Sequence, residues 1–326
     1  MKKVINTLKN LAVIASFLLV LPMQIAINLH HTWQRPIDLG EETLIWIPRG
    51  VGLNYLSQEF VRQGFLDQSW QLTVGAKLFK NSPTVKFGEF ALSGTKTIPE
   101  IIEELKISRP FTRSITLTEG TSVREFLLNL QENPYFDGRI DFSPLEGHLM
   151  PDTYFYHRGD DINSFLERLI NAQTAYLDEL WQNRPDNFYL TSKHDVLTMA
   201  SIIEKESGVT AERNIIASVF KNRLERGMRL QSDPTVIYGI TEGLPLNRAI
   251  SRDDLNDQNP YNTYRIDGLP PTPITNPGRE AIKAVFNPAN TNFLYFVADG
   301  EGGHRFAPNL REHNRNVQRW RNLQQR

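Results

Sequence analysis

One charge-free apolar run, Leu11–Asn28 (LAVIASFLLVLPMQIAIN), constrains this chain more than any other feature. It follows Lys2, Lys3 and Lys9, and its apolar part spans about 18 residues, close to the ~20 that cross a bilayer. Pro22 and the modest length also suit a secretory leader, but Leu29-His30-His31-Thr32-Trp33 offers no small-x-small cleavage site. The expectation is therefore an uncleaved transmembrane signal anchor over 11–29. Basic residues 1–10 stay cytoplasmic, and the chain beyond residue 30 lies outside. Trp33 would suit the outer membrane interface.

The rest has globular composition, 40% apolar and 22% charged over 326 residues, so disorder is not the default. A net charge of −1 gives no electrostatic case for a nucleic-acid partner. The chain has no cysteine, which excludes disulfides, thiolate catalysis and Cys-based metal sites.

Alternation and β-rich content predict a strand over Thr43–Pro48, then a helix over Gly52–Gly64 with Leu53, Leu56, Phe60 and Val61 at helical spacing. A strand over Val85–Leu92 and a helix over Ile98–Leu105, opened by Thr97 and Pro99, follow. A third strand–turn–helix phrase covers Ile115–Leu117 and Val123–Leu130. A small α+β module over about 41–108 and a hinge region to about 140 are the result, and the pattern becomes denser from Asp195 on. There, helices are expected over His194–Glu206, over Ala211–Arg226 capped by Thr210, and from Asp233-Pro234 to Tyr238. Pro270, Pro271, Pro273 and Pro277 stiffen the segment 268–278. Asn276-Pro277 opens another helix, Phe293–Ala298 reads as a strand, and Arg311–Leu323 as a terminal helix.

The candidate chemistry gathers at Ile202-Ile203-Glu204-Lys205-Glu206-Ser207-Gly208. Glu206 continues the apolar stripe of its helix from Ile203, and Glu204 points nearly opposite. Desolvation and the negative end of the helix dipole both favour the protonated form of Glu206, as a general acid requires. A paired structural acid, bound to Arg213 or Arg223, fits the same spacing. Glu146, His148, Asp152 and His157 crowd residues 144–158, yet match no metal-binding template, and no metal is expected. Gly300-Glu301-Gly302-Gly303-His304 lacks the strand-then-helix setting of a phosphate loop, and Ser207 lacks the flanks of GxSxG. Asn222, Gln231, Asp233, Tyr238, Tyr261, Asn262, Thr263 and Tyr264 supply the amides, hydroxyls and flat rings that sugars bind. Capping by Asp233 and core packing of Tyr238 remain the plainer alternatives.

Four ordered segments carry a resemblance: Leu197–Gly208 (LTMASIIEKESG), Phe220–Gly239 (FKNRLERGMRLQSDPTVIYG), Tyr261–Thr272 (YNTYRIDGLPPT) and Phe293–Phe306 (FLYFVADGEGGHRF). Together they resemble the endolytic murein transglycosylases, the YceG-like family. The resemblance implies an α+β chain: a single transmembrane helix, a small LysM-like module over 41–108, and a mixed α/β catalytic domain over 109–326 with its motifs in 195–310. It implies a bacterial inner-membrane location, single-pass, with the catalytic domain periplasmic. Glu206 matches the family's catalytic glutamate. Ser207, Asn222, Gln231, Asp233, Tyr238, Asn262, Thr263 and Tyr264 match the surrounding motifs as substrate contacts. His148 stands where the family usually has an aromatic.

The implied reaction cuts the β-1,4 bond between N-acetylmuramic acid and N-acetylglucosamine within a peptidoglycan strand, without a cofactor. Glu206 protonates the leaving oxygen, and its carboxylate then takes the proton of the muramoyl 6-hydroxyl as a 1,6-anhydro ring closes. One carboxylate serves where ordinary glycosidases use two. The resemblance implies penicillin-binding synthases as partners and termination of nascent strands as the outcome. Two alternatives stay open: a muramidase-type hydrolase with Glu212 or Asp233 as base, and a non-catalytic glycan-binding scaffold of the wall-synthesis machinery.

Overall fold

The computed structural model describes residues 2–79 and 86–324, with the side chains of residues 2–15 and of Phe17 outside the description. The chain forms two compact units, Met1–Arg113 with His157–Gly159, and Ser114–Tyr156 with Asp160–Arg326. The first is larger than the module expected over 41–108, because it takes in the N-terminal helix and a short return of the chain. The fold class is α+β, helices with short two-stranded sheets.

In the first unit, helix α1 (Lys2–Gln34) leads to β1 (Ile37–Asp38), β2 (Thr43–Ile47), α2 (Leu53–Arg62), α3 (Trp70–Leu78), β3 (Gly88–Leu92), β4 (Thr95–Lys96) and α4 (Ile98–Ile107). Val85, the first residue of the expected strand 85–92, lies outside the described residues, and the strand itself begins at Gly88. β2 and β3 pair antiparallel from Thr43↔Leu92 to Ile47↔Gly88, so the unit is built on a β-α-α-β succession. Ile45, Ile47, Phe90 and Leu92 point from this pair onto Leu56, Phe60 and Leu72 of the two helices and Ile98, Ile101 and Leu105 of α4. α4 starts where Thr97 and Glu100 form a reciprocal capping box with Pro99 in the first turn. Glu89, in the same pair, is buried and accepts hydrogen bonds from Arg113 Nε at 2.8 Å and Arg158 Nη1 at 3.1 Å.

α1 runs past the expected span as one helix. Leu18, Leu19, Val20, Leu21 and Met23 are exposed on it. Among the described residues no helix is long and apolar enough to cross a membrane. Trp33 departs from its expected interfacial role: it is 1% exposed, packed in the core with Leu29, and its indole donates to Gln71 O at 3.1 Å. α3 meets that indole at Gly75, where an added Cβ would stand 2.2 Å from Trp33 Cε2.

The second unit begins with β5 (Arg113–Leu117), α5 (Val123–Gln131), β6 (Phe136–Asp137), β7 (Asp152–Tyr156), β8 (Asp160–Asp161) and α6 (Ile162–Gln182). β5 lies beside β7, with Thr116 and Thr153 hydroxyls 2.9 Å apart, and β6 pairs parallel with β8. Leu117, Phe126, Leu130, Phe165, Leu166 and Leu169 fill the core between them. α6 has no counterpart in the sequence expectations. Its apolar stripe is interrupted by Gln173, which is buried and donates to Gly147 O at 3.0 Å.

Next come α7 (Lys193–Glu206), a 3-10 turn (Thr210–Glu212), α8 (Arg213–Glu225), α9 (Asp233–Thr241), α10 (Arg252–Asn256) and α11 (Arg279–Phe286). The hairpin β9 (Tyr295–Ala298) and β10 (His304–Ala307) and the terminal α12 (Leu310–Gln324) complete the unit. Two helix starts differ from expectation. Thr210 opens the 3-10 turn rather than capping α8, and Ser232, not Asp233, holds the N-cap position of α9. α7, α8 and α11 bury Ile202, Ile203, Ile216, Phe220, Ile282 and Val285 against one another.

The contact at Gly75 generates a stability test. Ala usually gains up to ~1 kcal/mol over Gly in a helix, but overpacking costs ~1–3 kcal/mol, and an indole sandwiched in a core has little room to move. Gly75→Ala is expected to destabilise by about 2 kcal/mol on chemical denaturation, and by clearly less in a Trp33→Leu background.

Candidate active site

α7 is positioned before it is functionalised. Ser192 and Asp195 form a reciprocal capping box at its start, and Val196–Glu204 are buried without a break. A helix buried all round has no exposed side for Glu204, so the expected contrast between Glu204 and Glu206 takes another form. Glu204 is the paired acid. Its Oε1 accepts from Arg213 Nη2 at 2.6 Å and its Oε2 from the N–H of Gly278, the N-cap of α11, at 2.9 Å. Arg213 also donates to Glu119 at 3.2 Å and to Ser207 Oγ at 3.2 Å.

Glu206 ends α7 and is half-buried on the wall of a cavity of about 400 Å³. Neither arginine proposed as its partner bonds to it. Arg213 serves Glu204, and Arg223 donates to Leu294 O at 2.7 Å and Leu230 O at 2.6 Å. Among the described residues, Glu206 accepts its hydrogen bond from Ser232 Oγ, at 2.5 Å. Burial pushes the Glu206 carboxyl above its ordinary range; the Ser232 hydroxyl pulls it down, the Asp233 charge pushes it up, and His304 and Arg223 pull it down.

Ser232 is 1% exposed and sits where a serine ordinarily caps its own helix, yet its side chain makes no such bond in α9. Its hydroxyl goes to Glu206 instead. The backbone holds it there: Ser232 N–H donates to Thr263 Oγ1 at 2.9 Å, and Thr263 Oγ1 also meets Thr235 Oγ1 at 2.8 Å. Gln231, just before, adopts φ +48° and donates its N–H to Thr263 O at 3.1 Å. A non-glycine residue in the left-handed region is strained, and such strain recurs where a turn must aim side chains.

The sequence-predicted contacts divide. Glu206, Gln231, Asp233 and Tyr264 share the cavity wall, with the Tyr264 hydroxyl donating to Asp233 Oδ1 at 2.7 Å. The structure places the others elsewhere. Ser207 Oγ accepts from Arg213, and Asn222 Nδ2 ties α8 to Thr291 O and Phe293 O, both at 2.9 Å. Asn262 is buried, donating to the carbonyls of Asp254, Leu255 and Asp257 and accepting from Tyr264 N–H. Thr263 is fully buried beneath Ser232. Tyr238 faces a different cavity, beside Glu146. These residues share polarity with the cavity residues, and sequence pattern alone does not separate the two sets.

Sequence reasoning missed Ser232, Tyr295 and His313 and offered Arg223 only as an ion-pair partner; Arg223, Tyr295 and His313 line the Glu206 cavity. Ser232 was legible as the residue before Asp233-Pro234, the place of an N-cap. Arg223 and Tyr295 lie inside the quoted motifs, and His313, stacked on Tyr295 at 5.1 Å, carried no signal. Glu212, a suggested base, is bound to His304 through both oxygens, at 3.0 Å to its N–H and 2.7 Å to Nδ1. Among the described residues no three histidine or acidic side chains gather as a metal site. Within 144–158, Glu146 accepts from Val123 N–H, Asp152 lies 4.0 Å from Arg279, and His157 meets Phe111 O.

Comparisons with known proteins agree on kinship. The chain is 40% identical over 173 residues to the endolytic murein transglycosylase of Bacillus subtilis, an alignment covering 53% of this chain and 47% of that protein. It is 28% identical over 330 positions to the endolytic murein transglycosylase of Streptococcus pneumoniae, covering 86% of this chain and 59% of that one. The chain thus spans about half to three-fifths of the length of these curated relatives. The crystal structure of a yceG-like protein from Listeria monocytogenes superposes with a TM-score of 0.52 at 27% identity, over 84% of this chain and 98% of that one. The YceG-like family matches residues 45–319, from the second strand to the last helix, and the chain belongs to that family.

Proposed function

We propose that this chain is an endolytic peptidoglycan lytic transglycosylase, and the observation that carries the proposal is the position of Glu206. A carboxyl lifted by burial and held by a serine hydroxyl on a cavity wall suits a group that gives a proton and later takes one back. In the proposed reaction Glu206 protonates the glycosidic oxygen between N-acetylmuramic acid and N-acetylglucosamine, and the C–O bond breaks. The Glu206 carboxylate then accepts the proton of the muramoyl 6-hydroxyl, whose oxygen bonds to the anomeric carbon as the 1,6-anhydro ring. No water is consumed and Glu206 returns to its starting state. Gln231, Asp233 and Tyr264 are proposed to contact the sugars at this cavity. The relatives named endolytic murein transglycosylases support the substrate class.

The rest of the chain serves delivery in this proposal. The β-α-α-β succession of the first unit supports a LysM-like glycan-binding module. The basic N-terminus and the exposed apolar residues 18–23 support α1 as a single-pass inner-membrane anchor with the catalytic unit on the periplasmic side. Penicillin-binding synthases, the makers of nascent strands, are the proposed partners. A muramidase-type hydrolase is the second reading, favoured by Asp233 as another carboxylate on the same wall.

Mass analysis of digested peptidoglycan separates the two: 1,6-anhydro ends are expected, and reducing muramoyl ends would establish hydrolysis instead. Glu206→Gln is expected to lower cleavage by about 10³-fold or more with unchanged folding. If the native chain also leaves glycan intact, a binding scaffold is the function. The pH profile gives an independent check. Glu206 acts first as an acid, so cleavage falls as pH rises through its pKa. Ser232→Ala removes the donor that favours the anion and is expected to move that alkaline limb up in pH. Asp233→Asn removes a repelling charge and is expected to move it down.

A further inference from the structure

A second, larger cavity lies within the same unit and is not used by the chemistry above. It measures about 630 Å³, inside the range of small-ligand sites, and is bounded by Val123 and Leu127 of α5, by Ser143–Glu146, and by Tyr238 and Tyr261. Tyr238 and Tyr261 stand with ring centroids 4.9 Å apart, tilted by 55°. Two acids line it: Glu242, which is exposed, and Glu146, which is half-buried and held from the backbone. The Glu146 Oε1 accepts the N–H of Val123 at 2.9 Å, at the start of α5, its Oε2 accepts the Tyr238 hydroxyl at a long 3.4 Å, and the backbone N–H of Gly147 also bonds to the carboxyl.

We propose that this cavity is a distal saccharide-binding site, which holds sugar rings of the strand whose cleavage point sits at Glu206. The inference rests on the transglycosylase reading and extends it. Three features carry it. The site pairs two aromatic rings with a carboxyl whose bond to the Tyr238 hydroxyl is long and readily exchanged, the combination that binds a sugar ring's apolar face and its hydroxyls together. The charges at its rim cancel, since Arg124 pairs with Glu242 at 3.1 Å, which suits an uncharged sugar better than a charged peptide. α9 contributes to both cavities: Asp233 lines that of Glu206, and Tyr238, later in the same helix, lines this one. The carboxyl of Glu146 is pushed up by burial to about 7, so near neutrality it can both donate to and accept from hydroxyl groups. Tyr238 thereby keeps the sugar contact expected from its motif, at a place other than the cleavage point.

The test compares chain-length preference. Affinities for peptide-free glycan chains of about two and about eight sugars are measured in a Glu206→Gln background, which binds without cutting. Two substitutions are added to it. Ser143→Trp blocks the mouth from an exposed position, and Glu146→Leu removes the inner carboxyl. The preference for long over short chains is expected to shrink about tenfold with either. A preference that survives Ser143→Trp overturns the inference. So does an effect seen only with chains carrying stem peptides, which would make the occupant a peptide. Failure of the underlying reading shows separately, as the absence of anhydro ends from the native protein on the same long chains.

Discussion

The site depends on a buried joint at the end of α7. The Glu204 carboxylate joins Arg213, the first residue of α8, to the N-cap N–H of α11, so three helix ends are fixed at one point. Removing one partner from such a buried pair costs ~3–5 kcal/mol, because the other charge is left unsatisfied. With that turn fixed, Glu206 lies two residues further round the helix and meets the cavity rather than an arginine. Two neighbouring carboxylates therefore have separate tasks, assigned by their surroundings and not by their type.

Around Glu206 the protein trades local comfort for aim. Ser232 leaves the start of α9 without its side-chain cap, and Gln231 accepts a left-handed backbone. Thr263 and Asn262 support this arrangement from below, through bonds to Ser232 and to the turn that presents Tyr264. They act as a supporting layer that locks the rotamers of the groups above, which is what a preorganised site needs.

Much of this was legible in the chain itself. The β2, α2 and α4 segments follow alternation, helical spacing and a Thr-Glu capping box, all local rules. Glu206 was legible as an acid on an apolar stripe within a recognisable motif. What escaped was non-local. α6 hid behind a buried glutamine whose partner, Gly147 O, is 26 positions away. Trp33 looked like an interfacial aromatic because Gly75 and Gln71, which enclose it, are some forty residues on. Asn222, Asn262 and Thr263 resembled sugar contacts since an amide that binds backbone carbonyls and one that binds hydroxyls have the same sequence signature.

Glu89 has a further consequence. Its carboxylate fastens Arg113, where the chain leaves the first unit, and Arg158, where the chain briefly comes back. The unit is therefore discontinuous in sequence, closed by residues on either side of a forty-residue excursion. A fragment cut at the apparent end of the module, near residue 108, would leave a buried anion with neither cation. The first unit is thus completed only by residues that lie beyond the start of the second in the sequence.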